Sequence, residues 1–174
     1  EADQILENTS TKNLQYQFVD VPGDCIEYVG SYINVAVVEP LLNWLNQHAS
    51  LRDEVAIYTC FAGQAQILTA ALQATQFARV PVRAIQQPCF AASKISIFIP
   101  VYTSAITGPY IFDHGLEILG QLTANTQDQV VIIGDRSIFK PELHSAAGQF
   151  AQKIFAFAEQ QQEIMITEEE ANCV

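Results

Sequence analysis

Apolar residues recur along this chain in two rhythms. Leu14-Gln-Tyr-Gln-Phe-Val19 alternates apolar with polar, the period of a half-buried strand. Val21-Pro-Gly-Asp24 then reads as a turn. Cys25 to Val38 is apolar and β-branched, and Ile33 to Val38 fits either a strand or the start of a helix. From Glu39 to His48 the rhythm becomes helical: Leu41, Leu42 and Leu45 share a face with Trp44 beside them, and Pro40 suits a first turn. After a polar connection at Leu51 to Glu54, Val55 to Thr59 reads as a buried strand. Cys60 to Gly63 turns the chain into a helix from about Gln64 to Phe77, with Ile67, Leu68, Ala71 and Leu72 inward.

Val82 to Gln86 predicts a short strand that runs into a tight turn carrying Cys89, with Ala91, Ala92 and Ser93 beyond it. Lys94 to Asp113 is mostly apolar but broken by Pro100, Gly108 and Pro109, and predicts a helix plus a loop or a hairpin-like excursion. His114 to Thr123 is helical, with Leu116, Ile118, Leu119 and Leu122 apolar. Asn125 to Gln129 reads as a polar turn, Val130 to Arg136 as the clearest strand, and Pro141 to Glu159 as a last helix. Strand and helix therefore alternate, which predicts an α/β fold with a mostly parallel or mixed central sheet and helices on both faces. The expected organisation is a flexible N-terminus over 1–13, one α/β domain over 14–160 and an acidic tail over 161–174.

Composition narrows the function. The chain has 174 residues, 19 acidic against 8 basic, for a net charge of −11. Such a balance argues against nucleic acid and anionic membranes, because both need a basic surface. No uninterrupted apolar run is long enough for a membrane span: Ile95 to Ile111 contains Pro100, Gly108 and Pro109. Cysteines stand at 25, 60, 89 and 173 with no CxxC pair and no histidine cluster, so neither a zinc site nor another metal site is expected. Free thiols and the lack of a basic-plus-apolar leader fit a cytoplasmic setting. No GxGxxG follows a strand, and no cofactor is expected.

The candidate chemistry is a thiol. A strand-end cysteine followed by small residues, with a helix N-terminus beyond it, can be presented as a thiolate nucleophile; the same position also suits a packed thiol. Thr59-Cys60-Phe-Ala-Gly63 is faintly similar to the cysteine turn of caspase-like peptidases. His48 follows a helix, however, and Cys60 reads as a packed thiol. Asp113-His114 and Asp135-Arg136 read as structural pairs at element ends.

The order of helix 64–77, the strand into Cys89-Phe-Ala-Ala92, helix 115–123 and Gln129-Val-Val-Ile-Ile-Gly-Asp-Arg-Ser137 resembles the N-terminal half of the thiolase-like superfamily, of the β-ketoacyl synthase type. The resemblance spans roughly residues 40 to 137 and carries an insertion of about twenty residues after Ala92. It implies that Cys89 accepts an acyl group as a thioester, with Phe90 and Ala91 against the substrate, and that the donor is an acyl-CoA or an acyl carrier protein thioester. The family's second half supplies a His and a His or Asn. His48, His114 and His144 lack that glycine-flanked context, so the resemblance implies a homo- or hetero-oligomer in which another chain or half completes the site. Two other classes stand beside it: a noncatalytic α/β interaction subunit that docks a partner through apolar surface, and a small cysteine-dependent hydrolase or transferase using Cys89 or Cys60.

Overall fold

A computed structural model describes residues 14–85, 91–106, 110–111 and 116–139. The five-stranded central sheet is entirely parallel, and the positions of its side chains follow from strand parity. Its strands are β1 (Gln15–Asp20), β4 (Val55–Thr59), β5 (Val82–Ala84), β6 (Ser93–Ile99) and β7 (Thr126–Gly134), in the spatial order β1-β7-β6-β4-β5. Between β1 and β4 a separate antiparallel hairpin, β2 (Ile26–Tyr28) and β3 (Ser31–Ile33), leads through a 3-10 turn into helix α1 (Val38–Gln47). Helix α2 (Ala62–Gln73) joins β4 to β5, and α3 (Leu116–Ala124) precedes β7.

Successive residues of a strand face opposite sides of the sheet. Ile57, Ile97 and Val131 lie in register across β4, β6 and β7, and they join Leu41, Trp44 and Leu45 of α1 and Leu68 and Leu72 of α2 in one core. One residue along, Tyr58, Phe98, Ile132 and Phe18 form a matching row on the other face. There they pack with Tyr102, Tyr110, Leu122 of α3 and Ile138. The sheet is thus covered on both sides, which is why its strands carry almost no charge. On the first face Trp44 also donates its indole N–H to Gln17 Oε1 at 2.9 Å, tying α1 to the edge strand β1.

The structure departs from the sequence reading in several elements. Ser93–Ile99 is a strand paired on both sides, β4 and β7, not a helix or a hairpin. Ile95, Ile97 and Ile99 supply one face, while Phe98 and the buried Ser96 supply the other. The β7 strand opens at Thr126, inside the expected polar turn. Its buried hydroxyl lies 2.7 Å from Ser96 Oγ and 2.6 Å from the Leu122 carbonyl, so a polar residue is satisfied within the sheet. The strand expected over Val82 to Gln86 is only the three residues of β5, and the segment 25–38 resolves into a hairpin and a 3-10 turn. The helix expected over Pro141 to Glu159 and the acidic tail lie outside the described residues.

Ile97 is fully buried in the central strand. Ile97→Ala is expected to cost about 2–5 kcal/mol of unfolding free energy, from lost burial plus the cavity left behind. Urea denaturation checks this; a loss below about 1 kcal/mol would contradict the placement of β6 at the centre of the sheet.

Candidate functional site

In a parallel α/β sheet, ligands enter the crevice beyond the carboxyl ends of the strands, where successive connections diverge. Here β4 leads outward to β5 while its neighbour β6 leads the other way to β7, so the point of divergence lies between β4 and β6. Thr59, Cys60 and Phe61 leave β4 at this end. Pro100 to Ser104 leave β6, Asp135 leaves β7, and Asp20 leaves β1.

The polar groups here bond chiefly to one another. Gln64, on the first turn of α2, is fully buried; its Oε1 accepts the Asn34 main-chain N–H at 2.7 Å, and its Nε2 donates to the Asn34 carbonyl at 2.9 Å. Asn34 turns its own side chain both ways: Oδ1 accepts Ala36 N–H at 3.1 Å, and Nδ2 donates to the Val101 carbonyl at 3.3 Å. The Thr59 hydroxyl donates to the Ile99 carbonyl at 2.9 Å, bridging the exits of β4 and β6. Thr103 Oγ1 accepts the Cys25 N–H at 3.3 Å and points its hydrogen at Cys25 Sγ, 3.6 Å away. Asp135 is 5% exposed and receives Ser104 N–H at 3.0 Å, Ser137 N–H at 2.9 Å and Ser137 Oγ at 2.6 Å. Asp20 accepts the Arg136 N–H at 3.0 Å.

Two backbone features tighten this end. Val101 has φ of +72°, a conformation a β-branched residue adopts only at a cost, and it is buried. Its carbonyl is the one held by Asn34. At Gly134 an added Cβ would meet Pro100 Cγ at 2.9 Å and Cδ at 3.1 Å, so only glycine lets the β6 and β7 exits approach this closely. Above them Tyr32, Phe61 and Tyr102 form an aromatic triangle, with ring centroids 5.3–5.8 Å apart. The Tyr102 hydroxyl accepts the Ile111 N–H at 3.1 Å.

The thiols divide. Cys60 is wholly buried, and desolvation pushes its thiol well above the ordinary value, the reverse of what a nucleophile needs. It is a packed strand-end thiol, as its sequence context suggested. Cys89 and Phe90 lie outside the described residues. Ala91 is exposed, its carbonyl accepts the Tyr58 hydroxyl at 3.4 Å, and it stands at the amino end of β6, before the strand rather than beyond its carboxyl end. Residues 91 and 92 run directly into β6, so the helix expected to favour a Cys89 thiolate does not begin there. His48 stacks on Trp44 at 4.0 Å, with Nδ1 2.8 Å from the Trp44 carbonyl, at the α1 terminus that leads into the amino end of β4. It is therefore remote from the crevice. His114 and His144 are not among the described residues. Among the described residues no group of three or more His, Cys, Asp or Glu could hold a metal ion, and no helix is long and apolar enough to cross a membrane.

Asn34, Gln64 and Val101 escaped the sequence reading. Gln64 stood in the expected helix as one more good helix former, and its partner is 30 residues away. Only its place in the first turn after a buried strand offered a signal.

No protein-family model matches this chain, and no curated protein does. Among solved structures, the C-terminal domain of a possible DNA helicase from Lactobacillus plantarum WCFS1 is similar at 16% identity, with 76% of this chain and 84% of that chain covered and a TM-score of 0.49. A likeness that distant carries no function across.

One outcome tests the site and a second tests the packed core beside β1. Gln64→Ala strands the Asn34 N–H and carbonyl in a buried setting and is expected to cost about 2–6 kcal/mol in denaturation, since each of the two unmet groups costs about 1–3. A neutral result would contradict the network. Burial also lifts the Tyr16 phenol from 10.0 to about 12. The folded chain then keeps a proton that the unfolded chain releases, so this stability is intact below pH 10.0 and is lost as pH rises through about 12. Tyr16→Phe should flatten the alkaline limb of a stability-versus-pH series, and an unchanged slope would contradict the burial.

Proposed function

We propose that this chain is a noncatalytic α/β interaction domain. The observation that carries the reading is a contrast between two surfaces. At the carboxyl ends of the strands, Thr59, Gln64, Thr103 and Asp135 are engaged in bonds within the fold. The exposed large hydrophobic side chains among the described residues, by contrast, all fall between residues 26 and 35. Polar groups committed to the fold are poorly placed to move protons or attack a carbonyl, because each would first have to break a buried hydrogen bond. Bare apolar side chains gathered in one segment favour association.

The acyl-transfer reading is the competing proposal: a ketosynthase-like subunit that takes an acyl group from acyl-CoA or an acyl carrier protein onto Cys89, with Phe90 and Ala91 beside it. It draws support from element order and from a strand-to-cysteine turn. Against it, the described residues 91 and 92, just after Cys89 and Phe90, lead into β6 and begin no helix whose N-terminus could lower the thiol pKa.

Mass spectrometry after incubation with an acyl-CoA, followed by iodoacetamide, separates the two. The interaction-domain reading expects no thioester at Cys89, and Cys60 alkylated only after unfolding. A stoichiometric acyl adduct confined to Cys89 would overturn it in favour of acyl transfer.

A further inference from the structure

We infer that the β2–β3 hairpin is the docking face of this domain, and that its partner is a protein surface with an apolar centre and a basic rim. The inference rests on the interaction-domain reading and adds to it a place and a chemistry.

Among the described residues, the exposed large hydrophobics are Ile26 at 58%, Tyr28 at 57%, Val29 at 88% and Val35 at 57%. All four lie in or just after the hairpin. Its pairing, Ile26 with Ile33, Glu27 with Tyr32 and Tyr28 with Ser31, puts Tyr32 and Glu27 on one face and Ile26 and Tyr28 on the other. Tyr32 anchors the hairpin by packing on Phe61 and Tyr102. Just beyond β3, the main chain of Asn34 is held by Gln64. The base of the hairpin is therefore fixed, with Ile26, Tyr28 and Val29 left exposed.

The tip supplies an independent observation. Tyr28 and Ser31 enclose a two-residue turn, Val29-Gly30, with φ of +49° and +70°. Such turns favour Asn-Gly or Asp-Gly, because both positions take positive φ. Valine is a poor choice there for the backbone, and it is the most exposed of the four side chains. An apolar tip kept against its own conformational preference fits a tip that is covered in use.

Charge selects the occupant. From residue 13 to residue 51 the chain has no Lys or Arg, while Asp24, Glu27 and Glu39 are all exposed. The acidic group beyond them, Asp20, meets Arg136 through that residue's main chain. A second copy would bring like charges together, and an anionic lipid surface would be repelled. A basic-rimmed apolar protein face satisfies both the hydrophobic and the electrostatic demand.

The probe is a synthetic amphipathic helix of leucine and lysine, with a leucine–glutamate helix as its control, titrated against the full chain by fluorescence anisotropy at two salt concentrations. The expected result is binding of the lysine peptide only, weakened by salt. It should fall at least tenfold for the triple variant Ile26→Ser, Tyr28→Ser, Val29→Asn. Val29→Asn alone should weaken binding while raising the thermal midpoint, which separates lost contact from lost folding. Equal binding by the triple variant with Cys89 still unacylated would overturn the docking face and leave the interaction-domain reading standing. Absence of lysine-peptide binding, equal binding of the glutamate peptide, or hairpin-dependent self-association in sedimentation would also overturn the proposal. An acyl adduct at Cys89 would instead remove the reading on which it rests.

Discussion

The Gln64 side chain does for Asn34 what a neighbouring strand would do: it accepts the N–H and donates to the carbonyl of one residue. That pairing anchors the side of the sheet's carboxyl end next to the hairpin. It fixes the point where the hairpin gives way to α1, and it leaves the Asn34 amide free to reach the Val101 carbonyl. A buried main-chain amide without a partner costs about 1–3 kcal/mol. The pairing is therefore a condition for bringing residue 34 into the interior at all.

Further contacts meet it at the same end. Val101 is held in a left-handed conformation between Pro100, which packs against Gly134, and Thr103, which bonds Cys25. The Thr59 hydroxyl bridges the exits of β4 and β6, Pro100 closes on Gly134 between the exits of β6 and β7, and among the described residues Tyr32, Phe61 and Tyr102 pack together at this end. Tyr32 ties the hairpin to this packing, and Ile26, Tyr28 and Val29 of the same hairpin are exposed.

Periodicity carried much of this fold. Leu41 and Leu45 with Trp44 marked the buried face of α1, and the Val130 to Ile133 run marked the core of β7. The alternation of elements was enough for an α/β class. The central strand β6 was missed because both of its faces are buried: with Phe98 as apolar as Ile97, no alternation separated it from the apolar stretch that follows. The crevice was less legible still. The bonds of Gln64 to Asn34, Asn34 to Val101 and Cys25 to Thr103 join residues 30, 67 and 78 positions apart, and a glutamine that pairs with a distant main chain looks, in sequence, like any helix former. Strand order, which decides where connections diverge, leaves no local trace. A cysteine beside small residues does leave one, and Cys89 lies outside the described residues.

Hydrogen exchange at the Asn34 amide tests the central claim most directly. This N–H belongs to neither a helix nor a strand, and its acceptor is the Gln64 side chain at 2.7 Å. If the network is part of the core, the amide exchanges only with global unfolding, as slowly as those of Ile97 and Val131. Exchange as fast as that of the Val29 tip would mean that the crevice opens on its own, and would contradict a carboxyl end committed to structure.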